Sequence, residues 1–126
     1  MDNKTKEILK KAYEEYMADT PGMNSKNYKR LKNFAGEVNG YYVYFEITQW
    51  REEKANNTFD YDCAVFDKNS LKIVNEWSDG EMKLGKVLLE LSKAFNKPFD
   101  WLNDICYEEF MNYNIDCMDC GHCEEW

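Results

Sequence analysis

Residues 41–51 read YYVYFEITQWR, and this stretch decides the class of fold. Its side chains form two alternating sets, as they do in a β-strand, where successive residues point to opposite faces. The sets are Tyr41, Val43, Phe45 and Ile47 on one face and Tyr42, Tyr44, Glu46, Thr48 and Trp50 on the other. We therefore predict a strand in the middle of the chain.

Two more strands are predicted after this one. Turn-forming residues at 56–57 precede a second alternating stretch at 59–66, and those at 67–70 precede a third at 71–77. Consecutive strands most simply pair side by side and antiparallel. The sequence thus predicts a three-stranded antiparallel meander over residues 41–77.

Helical patterns flank the predicted meander. Apolar residues recur at helical spacing near residues 5–18, 81–95 and 100–112. The stretch 78–81, Ser-Asp-Gly-Glu, has the form of a capping box that starts the second of these helices. The predicted fold class is α+β, with the order helix, three strands, helix, helix (αβββαα).

Residues 24–40 are predicted to form a loop or a short helix. They are polar and hold a small basic cluster, namely Lys26, Lys29, Arg30 and Lys32. Four such charges without a glycine-rich loop to cradle a phosphate are weak evidence for an anion site. We expect these side chains to be solvated or to pair within the chain.

One face of the meander is a candidate binding surface. Helices are expected to cover one face only, so that the other displays Tyr42, Tyr44, Trp50 and Phe66 among acidic residues. Exposed Tyr and Trp are typical of protein interfaces. Tyr42, Tyr44 and Trp50 are therefore candidate partner-binding residues. Packing under the basic segment, or a dimer contact, is the alternative.

The net charge of −8 is concentrated at one end of the chain. Eight of the 24 acidic residues lie in 99–126, which contains none of the 16 Lys and Arg residues, so residues 1–98 carry 16 of each sign. Such an end does not bind nucleic acid directly, because that binding depends on cations. A basic protein surface is the expected partner. Residues 1–126 are expected to form one cytoplasmic domain without a membrane segment.

The third predicted helix carries an acidic stripe. Asp100, Asp104 and Glu108 recur at four-residue spacing, and Glu109 follows them. Successive carboxylates on such a helix stand about 6 Å apart, near the spacing of phosphates along a nucleic-acid strand. These four residues are candidate contacts that could replace a phosphate backbone in a basic groove. A solvated helix face is the alternative.

The C-terminal cysteines suggest a metal site. Cys117 and Cys120 form a C-x2-C pair that is followed by Gly, His122 and Cys123, and Cys106 could supply a fourth ligand. This ligand chemistry suits structural zinc. The alternative is a set of free thiols. Residues 113–126 are accordingly expected to form an irregular Cys-rich tail that is either mobile or metal-bound.

No catalytic constellation is evident in the sequence. The only histidine is His122, so any histidine-based mechanism would depend on the C-terminal tail. Acidic pairs at 52–53 and at 60 and 62 are expected to be solvated. An enzyme is therefore the third choice, after a binding protein and a zinc-stabilised module.

The predicted order of elements and the acidic C-terminal part resemble small phage-encoded anti-CRISPR proteins. That resemblance implies an inhibitor that occupies the nucleic-acid groove of a CRISPR nuclease. The sequence is thus interpreted as a small acidic inhibitor or adaptor that binds a basic surface, such as that of a nucleic-acid-binding protein. A structural zinc-binding module of unknown partner is the alternative.

Overall fold

The computed structural model of the protein describes residues 1–20 and 25–102. The helices in these ranges are α1 (Asn3–Tyr16), α2 (Arg51–Asn56), α3 (Leu84–Ala94) and α4 (Asp100–Leu102). The strands are β1 (Tyr28–Val38), β2 (Tyr41–Trp50), β3 (Phe59–Phe66) and β4 (Ile73–Met82). The predicted α+β class is confirmed.

The four strands form one antiparallel sheet in the order β1-β2-β3-β4. Antiparallel pairing of consecutive strands was expected and is confirmed, but the count of three was wrong, because β1 occupies the segment predicted as loop or short helix. The register of β1 slips between Arg30 and Lys32. Leu31 and Phe34 consequently pack on the same core although they are three residues apart. This bulge hides the alternation by which a strand is recognised.

Helices cover both faces of the sheet, not one face as predicted. α3 packs on the face that carries Val43, Phe45 and Ile47, where the main core lies. On the other face, Leu9 and Tyr13 of α1 form a second core with Tyr44, Ala64 and Phe66. The second face is apolar only at the end that holds Tyr44, Ala64 and Phe66, and α1 covers that end.

Residues 78–81 belong to β4 and do not cap a helix, so the predicted helix start was wrong. The register of β4 shifts opposite Asp60, and Glu81 adopts a positive φ of 55°. This irregularity turns the Glu81 amide toward acceptors on neighbouring elements, Glu53 and Asp60. The helix starts only at Leu84.

The remaining boundaries agree in part with the sequence. α1 lies close to the predicted 5–18, and the Asp2 carboxylate caps it by accepting from the Thr5 amide at 2.7 Å. The short helix α2 was not predicted. α4 is the first turn of the helix predicted at 100–112. Residues 103–112 and the predicted tail at 113–126 lie outside the described residues.

Candidate functional site

α1 covers only part of its face of the sheet. Beyond the last turn of this helix, that face forms a cavity of about 430 Å³. Strand pairing builds its floor: Thr48 of β2 lies beside Asp60 of β3, and Asp62 lies beside Ser78 of β4. A second cavity of about 500 Å³ adjoins it. The two cavities share Trp50, Asp60 and Gly80. They therefore form one continuous depression, which we call the acidic groove.

Carboxylates dominate the acidic groove. They come from α2, β3 and β4, and they are Glu52, Glu53, Asp60, Asp62, Glu76, Asp79 and Glu81. Among the described residues, no Lys or Arg lines either cavity. Walls of one sign of charge focus the field inside a cleft and raise the local concentration of counter-ions. The groove is thus suited to a cationic ligand.

Two aromatic rings line the same groove. Trp50 and Tyr28 face each other across β2 and β1, with ring centroids 4.9 Å apart and planes tilted by 54°. Both side chains are half-buried. Trp and Tyr faces attract cations through their quadrupole, and the attraction grows when the cation is desolvated. The aromatic pair and the carboxylates therefore favour the same class of ligand.

Asp62 is a partly buried carboxylate in the groove. Burial raises its pKa, while hydrogen bonds from the Tyr13 and Tyr28 hydroxyls oppose that rise. The Tyr28 bond is long, with 3.4 Å between Oη and Asp62 Oδ2. The carboxylate has about four acceptor sites. It can accept from a further donor without losing the tyrosines.

Thr48 carries a buried hydroxyl that has no hydrogen-bond partner among the described residues. The residue is 0% exposed, and its side chain lines the groove. The hydroxyl lies close enough to the Tyr28 hydroxyl to oppose the rise in the Tyr28 pKa that burial causes, but it makes no hydrogen bond of good geometry within the described residues. Buried polar groups are nearly always hydrogen-bonded, because an unsatisfied one is costly. Thr48 is thus a polar group to which a ligand could donate.

Glu53 and Asp60 share one backbone donor at the other end of the groove. The Glu81 amide lies 3.2 Å from Glu53 Oε2 and 3.1 Å from Asp60 Oδ1. The Trp50 amide donates to Glu53 Oε1 at 3.0 Å. Burial, and next the hydrogen bond with Asp60, raise the pKa of Glu53 to about 7. Glu53 is therefore buried and exchanges its proton near neutral pH, contrary to the solvated pair expected at residues 52–53, whereas Glu52 is exposed as expected.

An internal ion network lies beside the groove. Glu46 is 1% exposed. The Arg30 guanidinium donates two hydrogen bonds to its carboxylate, with Nε 2.5 Å from Oε1 and Nη2 2.7 Å from Oε2. Arg30 Nη1 also binds Glu14 Oε2 of α1 at 2.6 Å. Tyr44 donates a short hydrogen bond to Glu46. The intramolecular pairing expected for the basic cluster is thus confirmed for Arg30, which ties α1 to β1 and β2.

The structure separates the aromatic residues predicted to bind a partner. Trp50 lines the acidic groove, whereas Tyr42 lies away from it, with Lys68 Nζ 5.6 Å from its ring centroid. Tyr44 is buried beneath α1, with its ring 5.1 Å from that of Tyr13, so the prediction that it is displayed was wrong. Asp100 is exposed at the start of α4.

The other predicted site residues lie outside the described ranges. They are Asp104, Glu108 and Glu109 of the acidic stripe and Cys106, Cys117, Cys120, His122 and Cys123 of the zinc site. Within residues 1–20 and 25–102, no three His, Cys, Asp or Glu side chains are grouped as metal ligands. Cys63, in the main core, is buried, and burial raises its thiol pKa to about 12.

The zinc site stays a prediction with a direct test. If Cys117, Cys120 and either His122 or Cys123 hold zinc, protein purified without chelator is expected to contain about one zinc ion per chain. Cys120→Ser should then release the metal, whereas Cys63→Ser should not. Elemental analysis of the three proteins measures this. Metal-free wild-type protein would contradict the prediction.

Comparison of the chain with protein-family models, curated proteins and solved structures gives no match. No helix in the described ranges is both long enough and apolar enough to cross a lipid bilayer. The acidic groove is the most distinctive chemical feature of the described residues.

Proposed function

We propose that this protein is a small acidic inhibitor or adaptor that binds a basic protein surface. The observation that carries the proposal is the acidic groove, in which seven carboxylates and two aromatic rings line adjoining cavities without a lining Lys or Arg among the described residues. Acidic side chains around Trp and Tyr are suited to contacts with basic residues, which steer association and fix its register.

A basic protein fits the groove better than nucleic acid does. A phosphate backbone needs cations to replace its counter-ions, and the charged side chains that line the groove in the described part of the chain are all carboxylates. The acidic stripe predicted at residues 100–109 would add charge of the same sign. Together the two surfaces support a partner that itself binds nucleic acid, such as a CRISPR nuclease, whose basic groove this protein would occupy in place of a phosphate backbone.

Charge reversal at the rim of the groove tests this proposal. Glu52 and Asp79 are exposed, so Glu52→Lys/Asp79→Lys is expected to preserve the fold. The variant should bind a partner captured from the native host at least about tenfold more weakly, and wild-type affinity should fall between about 50 mM and about 300 mM NaCl, since salt screens such charges. Binding is measured by surface plasmon resonance.

Matched variants separate the two surfaces. Glu7→Lys/Glu15→Lys makes the same change of charge on exposed residues of α1 that do not line the groove, and it should bind like wild type. Asp104→Lys/Glu108→Lys tests the predicted stripe, and excess nucleic acid should compete for the partner if the mimicry is correct. Binding that is indifferent to both reversals would refute the proposal.

A further inference from the structure

One buried polar atom in the acidic groove, the Thr48 hydroxyl oxygen, has no hydrogen-bond partner among the described residues. Asp62 keeps acceptor capacity, the Thr48 hydroxyl has no partner among the described residues, and Trp50 with Tyr28 provides aromatic surface beside them. We propose that the 430 Å³ cavity receives the guanidinium group of an arginine side chain from the partner protein. This inference rests on the binding function proposed above.

The buried Thr48 hydroxyl distinguishes this cavity from an ordinary patch of negative charge. Acidic side chains on a surface are commonly just solvated, but Thr48 is 0% exposed and has no hydrogen-bond partner in the described structure. A bound group with several N–H donors would satisfy this oxygen.

A guanidinium matches the groove better than an ammonium group does. It is planar, it stacks on aromatic faces, and it presents five N–H donors in a fixed fork. One edge can bind the Asp62 carboxylate while another N–H donates to Thr48, with the plane against Trp50. Lysine offers a compact and strongly hydrated charge, which gains less from such a surface.

The cation is expected to come from another molecule. Of the two arginines in the sequence, Arg30 is engaged by Glu46 and Glu14, and Arg51 does not line the cavity. Residues 21–24 and 103–126, which lie outside the described ranges, contain no Lys or Arg. The cavity volume falls within the range of small-ligand sites, roughly 300–1,000 Å³. It therefore has room for the guanidinium and its methylene stem, with Met17 as apolar lining.

An NMR titration with three small probes tests the inference on the wild-type protein. The probes are N-acetyl-arginine amide, N-acetyl-lysine amide and the neutral N-acetyl-citrulline amide. We expect the arginine probe to shift the Trp50 indole and Thr48 amide signals saturably, with a dissociation constant on the order of millimolar. The lysine probe should bind at least about threefold more weakly, and the citrulline probe should not saturate.

Thr48→Val separates a binding role from a structural one. Valine keeps the shape of the side chain and removes the hydroxyl, so the variant should fold and melt at or above the wild-type temperature. Its affinity for the arginine probe should nevertheless fall by about tenfold. Should the variant fail to fold, the comparison of arginine with citrulline on wild-type protein still decides the matter.

The outcomes distinguish this inference from the proposed function. If the arginine probe does not saturate, or if citrulline binds equally well, the guanidinium site is refuted, while weaker partner binding by Glu52→Lys/Asp79→Lys would still support the general function. If the arginine probe binds but charge reversal leaves partner binding unchanged, the cavity binds a guanidinium group and the partner docks elsewhere. The proposal that the partner protein supplies this guanidinium would then be wrong.

Discussion

Replacing Arg30 with methionine is expected to lower the free energy of unfolding by about 3–5 kcal/mol. The guanidinium holds the buried Glu46 carboxylate with two hydrogen bonds, and it joins Glu14 of α1 to the sheet. Without the guanidinium, the buried Glu46 carboxylate would keep only the hydrogen bond from the Tyr44 hydroxyl. It would then carry an uncompensated charge or would have to take up a proton. Urea unfolding followed by circular dichroism measures the loss.

A surface ion pair provides the control. Lys68 pairs with Glu37, but both side chains are more than a third exposed, so Lys68→Met should lower the free energy of unfolding far less than Arg30→Met does. The double variant Arg30→Met/Glu46→Met should recover much of the loss, because no uncompensated charge is then buried. An Arg30→Met protein that unfolds within about 1 kcal/mol of wild type would contradict the assignment of Arg30 as the necessary counter-ion.

The pH dependence of stability is the second large effect expected. The pKa of Glu53 is about 7 in the folded protein, against an ordinary 4.5. The folded state then binds the proton more tightly than the unfolded state between these values, so stability falls as pH rises from about 5 to about 7 and levels off above. A shift of this size corresponds to up to about 3 kcal/mol.

Glu53→Gln isolates this contribution. Glutamine resembles the protonated acid, since its amide can donate to Asp60 and its carbonyl can accept from the Trp50 amide, but it does not titrate. The variant should flatten the curve of unfolding free energy against pH between about pH 5 and about pH 8. Glu52→Gln, at an exposed neighbouring position, should leave the curve unchanged. Parallel curves for Glu53→Gln and wild type would contradict the raised pKa.

Much of the fold was predictable from the sequence because β2 and β3 alternate clearly and α1 and α3 have one apolar stripe each. β1 was missed because its bulge breaks the alternation and because its lysines suggest a loop. A signal was present: Asn39-Gly40 links β1 to β2, with φ of 52° and 85°, and Asn-Gly is the preferred pair for a tight hairpin turn.

Only the part of the acidic groove that β2 and β3 form was predictable from the sequence. The alternation of β2 and β3 placed Thr48, Trp50, Asp60 and Asp62 on one face, which the structure confirms. The unpredicted helix α2 and the bulge at Glu81 bring in Glu52, Glu53 and Glu81, and neither has a periodic signature. The burial of Glu53 depends on donors from three separate segments, so no local pattern could reveal it.

The order of the strands has a consequence for how the chain folds during synthesis. Each strand of the sheet pairs with the strand made just before it, so no pairing has to wait for a distant segment. Contacts of short sequence separation close quickly and favour fast folding. The hydrophobic strand β2 finds β1 already available when it leaves the ribosome. The sheet can then grow one hairpin at a time, so that the aggregation-prone strand β2 is unpaired for only a short time.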